Sequence, residues 1–164
     1  MQKIKTFEGS FDFTNTPLHE IKYKRINNGL HLLRFISDFF DEQIQSIILT
    51  MLDNSRTLFN QYELCYLDVK VRNLKEGDSG DHLNQVHLDW TKDFNHPNKQ
   101  ETHLLYTSSG GTKFFDLVDG EYKLIGETEP NSIYKYGRIH HQSPVVKKAC
   151  KRLMIRLSFC DRLK

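Results

Sequence analysis

Residues 113–125 read KFFDLVDGEYKLI, in which two mostly apolar runs flank an Asp-Gly pair. Asp-Gly between such runs is a preferred two-residue turn of a β-hairpin. The stretch therefore predicts antiparallel strands over Phe114 to Val118 and Tyr122 to Ile125, joined at Asp119-Gly120. An antiparallel, mostly β fold is the first expectation for the chain.

Further strands are predicted on both sides of the hairpin. Leu67 to Arg72 alternates apolar and charged residues, which is the period of a half-buried strand. Thr102 to Tyr106 precedes the hairpin, Ile133 to Tyr136 follows it after a turn at Pro130-Asn131, and the last strand is Leu153 to Phe159. Short strands at near-regular spacing predict a sandwich or barrel, on which distant residues converge.

The first 36 residues are also predicted to form short strands around a turn. Their apolar positions are scattered, and an Asn-Asn-Gly turn at 27–29 separates them from the mostly apolar run Leu30 to Ile36. We assign that run to the same strand region.

One amphipathic helix is predicted from about Phe40 to Leu52, with Asp38 or Asp41 as its N-cap. Its apolar residues recur at i, i+3, i+4, i+7 and i+8, and they are Ile44, Ile47, Ile48, Met51 and Leu52. Such a stripe usually faces the core and not a partner. The sequence thus predicts helical support over about 38–62 and a barrel core over about 64–160.

Length, charge and cysteine content narrow the class of protein. The 164 residues suit one domain, and 23 basic against 21 acidic side chains give a net charge of +2, which offers no support for nucleic-acid binding. Cys65, Cys150 and Cys160 form no Cys-x-x-Cys pair, and their odd number favours a reducing compartment. With no apolar stretch suited to a signal peptide or membrane span, we expect a cytoplasmic protein without membrane contact.

A His-x-Asp pair at His87 and Asp89 is the first candidate metal site. On a strand, residues two apart point to the same side, so an imidazole and a carboxylate can reach one cation together. The pair alone is weak support, since a chain with eight histidines and 21 acidic residues contains about one such pair by chance. The residues that follow it strengthen the interpretation.

Five elements in order carry a family resemblance. They are His87-Leu-Asp89, Leu104-Leu-Tyr106, Gly110-Gly111 followed by Phe114, His140-His141 before Pro144-Val145, and Arg152. In this order they resemble the Fe(II)- and 2-oxoglutarate-dependent dioxygenase superfamily, and most nearly its prolyl-hydroxylase-like branch, over about Leu30 to Phe159. The glycine pair is interpreted as a tight turn that needs positive φ, because no phosphate-loop pattern surrounds it.

The resemblance implies a double-stranded β-helix (jelly-roll, cupin-like) with N-terminal supporting helices. It also implies an Fe(II) site of two histidines and one carboxylate, which is typical of non-haem iron oxygenases. His87 and Asp89 match the first two ligands, and the third is His141 or His140. We favour His141, since Arg152 then follows at a spacing common in the family, although His140 also gives a familiar spacing to the next proline.

Arg152 matches the arginine that binds the distal carboxylate of 2-oxoglutarate in this family, where a planar guanidinium offers bidentate geometry. Tyr106 matches a position whose phenol often contacts the same carboxylate. Arg156 and Ser158 share a strand face with Arg152 and are secondary candidates. Trp90 fits the mouth of a substrate pocket and fits a core aromatic equally well.

The implied activity is that of a hydroxylase that uses Fe(II), 2-oxoglutarate and O2 and releases succinate and CO2. An acid at Asp89 favours hydroxylation, because halogenating relatives lack an acid at that position. The expected substrate is a small molecule or an exposed side chain, faced by loops at Asp78 to Leu83 and Lys92 to Lys99. The alternative is a metal-binding cupin-type protein without 2-oxoglutarate chemistry.

Overall fold

The computed structural model of the protein describes residues 1–9, 11–26, 30–81, 84–88 and 100–161. The strands in these ranges are β1 (Gln2–Thr6), β2 (His19–Ile26), β3 (Leu64–Leu74), β4 (Glu101–Thr107), β5 (Lys113–Val118), β6 (Glu121–Glu127), β7 (Ser132–Tyr136), β8 (His140–Gln142) and β9 (Cys150–Cys160). The helices are α1 (Leu30–Phe39), α2 (Glu42–Asp53) and α3 (Arg56–Gln61). No helix within these ranges is both long and apolar enough to cross a membrane.

The strands form two antiparallel sheets, so the prediction of a mostly β fold is confirmed. The larger sheet has six strands in the order β1-β7-β4-β9-β3-β2, and the smaller sheet has three in the order β6-β5-β8. As described, the sheets are open and do not close into a barrel. The long central strands β3 and β9 pair along their whole lengths and form the middle of the larger sheet.

One face of the larger sheet packs against the three helices and forms the main core. Every second residue of the central strands belongs to it, because side chains alternate between the two faces of a strand. These residues are Leu67, Val69 and Val71 of β3 and Leu153, Ile155, Leu157 and Phe159 of β9. Each such side chain contributes roughly 1.5–3 kcal/mol when it is fully buried.

Helix α2 confirms the predicted amphipathic helix and one of its two candidate caps. Asp41 precedes the helix in an extended conformation, and its carboxylate accepts the backbone N–H of Ile44 at 2.9 Å. The buried residues of the helix are Ile44, Ile47, Ile48 and Met51. All four belong to the main core, so the apolar stripe faces the protein interior as expected.

The apolar run Leu30 to Ile36 is helical, so its assignment to a strand was wrong. Leu32, Ile36 and Phe40 are buried in the core, and a spacing of four residues places them on one side of a helix. The helical layer therefore begins at Leu30 and not near residue 38. Strands β1 and β2 are both part of the larger sheet, so β structure also extends N-terminal to the predicted barrel region.

Two predicted turns have the expected backbone. Asp119 and Gly120 join β5 to β6 with φ values of 53° and 81°, which confirms the hairpin. Gly110 and Gly111 have φ values of 64° and 83°, which confirms a turn in the left-handed region. A Cβ at Gly110 would lie 2.6 Å from the backbone nitrogen of Pro130, so this turn also needs a residue without a side chain.

Candidate active site

A pocket of about 230 Å³ lies on the face of the larger sheet opposite the helices. Its lining comes from several strands of the larger sheet, from β8 of the smaller sheet and from the segments around residues 80 and 87. Its ionisable side chains include His87, His141, Asp68, Asp81, Lys70, Arg152 and Arg156. Convergence of these groups in one concave site makes it the candidate active site.

His87 and His141 come together because their backbones pair. Each donates its N–H to the carbonyl oxygen of the other at 2.9 Å. This single bridge attaches the His87 segment to one edge of β8, whose other edge pairs with β5. Residues directly opposite each other in an antiparallel pair point to the same side, and the two ring centroids are 4.7 Å apart.

Backbone carbonyl groups fix the tautomer of both rings. His87 Nδ1 lies 2.8 Å from the carbonyl oxygen of Gln85, and His141 Nδ1 lies 3.0 Å from that of Ile139. A carbonyl oxygen only accepts, so each Nδ1 donates and each neutral ring keeps its lone pair at Nε2. Metal-binding histidines are commonly oriented in this way by a hydrogen bond from the other ring nitrogen. The pair is therefore suited to bind a cation through Nε2.

The predicted carboxylate ligand, Asp89, lies outside the described residues, as does Trp90. Among the residues that are described, no three His, Cys, Asp or Glu side chains are grouped so that they could hold a metal ion. A carboxylate that the sequence did not reveal does lie beside the histidines, because Asp81 Oδ2 is 3.8 Å from His87 Nε2. The structure places two of the three proposed ligands, and Asp89 stays a prediction.

His140 lies on the other side of β8 and does not line the pocket. Its ring packs against Tyr122 at a centroid distance of 5.0 Å. Adjacent residues of a strand point to opposite faces, which separates His140 from His141. Burial, with a smaller contribution from the neighbouring His141 and Arg138 side chains, lowers the pKa of His140. Of the two candidates for the third ligand, the structure brings His141 to His87.

Arg152 is a buried cation in the same pocket. It is 4% exposed, and its Nε donates to Ser109 Oγ at 3.2 Å. Burial lowers its pKa to about 10, which the charge of Asp81 opposes. Within the described part of the chain, no carboxylate lies at ion-pairing distance from its guanidinium group. A buried guanidinium without such a partner is suited to bind an anionic ligand.

Arg156 lies on the same face of β9 but is neutralised within the protein. Its Nη2 is 2.9 Å from Asp68 Oδ2, and its Nε is 3.2 Å from the same oxygen. It also donates to the hydroxyl of Tyr23 at 3.4 Å. Because Asp68 is only 1% exposed, the two charges form a buried ion pair.

The charged groups of the pocket do not balance. Lys70 and Asp81 form a loose ion pair at 3.7 Å, and burial lowers the pKa of Lys70. The cations Lys22, Lys70, Arg152 and Arg156 face the carboxylates of Asp68 and Asp81 in the described lining. Two positive charges, those of Lys22 and Arg152, are in excess within this set.

The structure does not bring Tyr106 or Ser158 to the pocket. Tyr106 lies on the helix-facing side of β4, where its hydroxyl donates to Asn131 Oδ1 at 2.8 Å and where burial raises its pKa. Its neighbour Leu105 lines the pocket instead, because adjacent strand residues face opposite ways. Ser158 is fully buried with its Oγ 2.9 Å from His103 Nδ1. The prediction that Tyr106 shares a site with Arg152 therefore does not hold.

Several lining residues were missed by sequence reasoning, namely Lys22, Tyr23, Asp68 and Lys70. The signal for Asp68 and Lys70 was present, since they are charged positions of the alternating strand predicted at Leu67 to Arg72. Gly80 and Asp81 belong to the loop that was predicted to face substrate, of which His82 and Leu83 lie outside the described residues, as do Lys92 to Lys99.

A scan against protein-family models finds no match for this chain, and a search of curated proteins finds no significant match. The function is therefore inferred from the residues of the pocket and their geometry.

Proposed function

We propose that the protein is a non-haem Fe(II)- and 2-oxoglutarate-dependent oxygenase that hydroxylates a C–H bond of a small molecule or an exposed side chain. One observation carries the proposal. His87 and His141 have their rings side by side, with Nδ1 of each bonded to a backbone carbonyl. The same pocket contains Arg152, a buried cation that has no carboxylate at ion-pairing distance among the described residues.

The iron would be held by His87, His141 and Asp89. Two imidazoles and one carboxylate are the donor set of non-haem Fe(II) oxygenases, and they leave positions open for co-substrate and O2. The described residues fit this assignment in two respects, since both rings have their lone pair at Nε2 and both line one pocket. The backbone bridge between the histidines keeps the two rings adjacent without a metal.

The co-substrate would be held by Arg152. A guanidinium group forms bidentate hydrogen bonds with a carboxylate, and this one is fixed by Ser109 on its Nε side. The excess positive charge of the pocket favours an anionic ligand at this point. Arg156 is a weaker candidate, because Asp68 already pairs with it.

Bound iron and 2-oxoglutarate would together activate O2 for C–H oxidation and release succinate and CO2. The protein contributes binding, orientation and exclusion of water. Leu88, Leu105 and Met154 add apolar surface to the lining of the pocket, which keeps the charged groups in a less polar environment than water.

The corresponding fold proposal is a double-stranded β-helix with N-terminal helical support. Two antiparallel sheets that both contribute to one pocket support it, with His141 on β8 of the smaller sheet and Arg152 on β9 of the larger one. The helices pack on the opposite face of the larger sheet and leave the pocket side open to ligands.

The test is anaerobic titration of the Fe(II)-loaded protein with 2-oxoglutarate, followed by the weak visible charge-transfer band of the iron chelate. The wild-type protein is expected to give the band. His141→Ala should abolish it through loss of iron, whereas the matched control His140→Ala should keep it, because His140 packs on Tyr122 outside the pocket. Arg152→Met should keep the iron and weaken binding of 2-oxoglutarate.

Two results would overturn the proposal. Iron binding without a chelate band at any concentration of 2-oxoglutarate would favour the metal-binding cupin alternative. Equal loss of iron in His140→Ala and His141→Ala would mean that the pocket histidines have no special role.

A further inference from the structure

Strand β2 carries a bulge where it borders the pocket. Its register with β3 pairs Ile21 with Val69 and then Lys24 with Leu67, so Lys22 and Tyr23 both lie opposite Asp68. Tyr23 has a φ of 49°, in the left-handed region that residues with a side chain rarely adopt. Both bulge residues line the pocket. Bulges next to active sites commonly serve to redirect a side chain.

Buried groups hold this unusual backbone in place. One carboxylate oxygen of Asp68 accepts the N–H of Tyr23, and the other accepts the guanidinium of Arg156. That guanidinium also lies over the ring of Tyr23, with Cζ 5.7 Å from the ring centroid. Strained backbone persists only where the surroundings enforce it, and it is concentrated at functional sites. The position of Lys22 and Tyr23 is thus fixed by a buried ion pair.

Lys22 differs from Lys70 and Arg156, two other cations of the pocket lining. Lys70 pairs with Asp81, and Arg156 pairs with Asp68. Lys22 is exposed, and its Nζ lies 5.8 Å from the centroid of the Tyr23 ring. Among the described residues, no carboxylate lies at ion-pairing distance from its ammonium group. It therefore presents a positive charge to whatever enters the pocket.

We propose that the β2 bulge is the recognition element for the oxidised substrate, and that this substrate is a small organic anion whose carboxylate or phosphate group pairs with Lys22 beside the Tyr23 ring. The proposal rests on the proposed function, in which Arg152 binds the co-substrate. Lys22 is on β2 and Arg152 is on β9, with β3 between them, which places the two strands roughly 10 Å apart. The two cations therefore lie on different strands of the pocket lining, which gives the substrate anion a position separate from that of 2-oxoglutarate.

The test uses Zn(II)-substituted protein, which does not turn over, with and without saturating 2-oxoglutarate. Benzoate, phenyl phosphate and neutral benzamide are titrated and followed by calorimetry and by NMR. At least one of the two anions should bind while 2-oxoglutarate is bound, and benzamide should bind more weakly. The two anions distinguish a carboxylate from a phosphate substrate.

Two lysine variants provide the matched comparison. Lys22→Met should lower the affinity for the anion by about fivefold, which is in the range of a solvent-exposed ion pair. Lys24→Met removes the same charge from the same strand but should leave binding unchanged, because Lys24 Nζ lies over the ring of Phe35 on helix α1. Neither lysine is buried, so both variants should fold.

The outcomes separate this proposal from the proposed function. If both anions only compete with 2-oxoglutarate, or if neither binds, the bulge is not a recognition element, whereas the oxygenase proposal stands. Equal weakening in Lys22→Met and Lys24→Met would also overturn the inference, since it would reveal unspecific attraction. If 2-oxoglutarate does not bind but the lysine contrast persists, the oxygenase proposal fails and the anion site at the bulge remains.

Discussion

The two faces of the larger sheet use the same strands for different purposes. On the helix-facing side, Leu153, Ile155 and Leu157 of β9 are fully buried among other apolar side chains. On the pocket side, the same strand presents Arg152 and Arg156 to a cavity lined by ionisable groups. The first face therefore contributes stability through packing, whereas the second holds charges whose arrangement stability alone does not explain.

The pocket face contains a second comparison, between its two arginines. Arg156 has a buried carboxylate partner in Asp68, and Arg152 has only the hydroxyl of Ser109 among the contacts of the described residues. Arg156 therefore has a structural role, because it pairs with Asp68, which in turn holds the β2 bulge. Burial of Arg152 without a carboxylate at ion-pairing distance among the described residues costs stability, and a bound anion would offset that cost.

The largest effect of a substitution on the free energy of unfolding is expected on the helix-facing side. Phe159 is fully buried and packs edge-to-face on Phe59 at a centroid distance of 5.0 Å. Phe159→Ala should lower the free energy of unfolding by about 3–5 kcal/mol, because it removes buried surface and leaves a cavity. Denaturant unfolding measures this. Phe39→Ala is the control, since Phe39 is 56% exposed and should cost less than about 1 kcal/mol. Equal costs would contradict the assignment of this face as the main core.

On the pocket face, Arg156→Met should destabilise the protein by about 3 kcal/mol. The variant leaves Asp68 buried without its cation, and breaking a buried pair from one side is strongly destabilising. Adding Asp68→Asn should restore part of the loss, since no unpaired charge then remains. The check is a double-mutant cycle by denaturant unfolding. Strictly additive losses would mean that the two side chains do not interact.

The same substitution at Arg152 should change the free energy of unfolding in the opposite direction. Burial lowers the pKa of Arg152 to about 10, so at neutral pH the group is charged in both the folded and the unfolded chain and its desolvation cost is fully present. The cost would be relieved only as pH rises above about 10. Arg152→Met should therefore raise the free energy of unfolding by about 1–2 kcal/mol at pH 7, while binding of 2-oxoglutarate is weakened. A destabilised variant that still binds 2-oxoglutarate would contradict the functional assignment.

The fold was predictable wherever a local pattern has one physical solution. The hairpin at Asp119-Gly120, the alternation in β3 and the stripe of α2 each have a period or a turn that only one element satisfies. The strand prediction for Leu30 to Ile36 failed because a short apolar run is compatible with a strand as well as with a helix. Contacts of Leu32 and Ile36 in the core decide for the helix, and those contacts are tertiary.

The candidate site was predictable only in part, because strand register assembles it. His87 and His141 meet through one backbone bridge, and the motif order indicated both residues but not the bridge. Tyr106 was selected by motif position, yet the register of β4 turns Leu105 to the pocket. Tyr23 enters through a bulge that depends on buried Asp68, a contact between strands that no local pattern of β2 reveals.

The smallest effect is expected when a single methyl group is added at Gly80, and it is an effect on binding of 2-oxoglutarate. Gly80 lies directly against Arg152. A Cβ there would be 3.1 Å from both Cζ and Nη1 of Arg152 and 3.3 Å from Cβ of Ser143. Gly80→Ala should therefore displace the guanidinium by a few tenths of an ångström and weaken 2-oxoglutarate binding by about three- to tenfold, or roughly 1 kcal/mol, with iron binding unchanged. Calorimetric titration of the Zn(II)-loaded protein with 2-oxoglutarate measures the first quantity, and anaerobic titration of the metal-free protein with Fe(II) measures the second.

Gly137→Ala is the matched control for Gly80→Ala. Its nearest neighbour would be the carbonyl oxygen of Glu101 at 3.5 Å, an ordinary contact, and it does not line the pocket. Binding of 2-oxoglutarate to this variant should equal that of the wild-type protein. If Gly80→Ala binds equally well, the co-substrate does not depend on the exact position of Arg152, and the distinction between a ligand-binding and a structural arginine on β9 loses its main support.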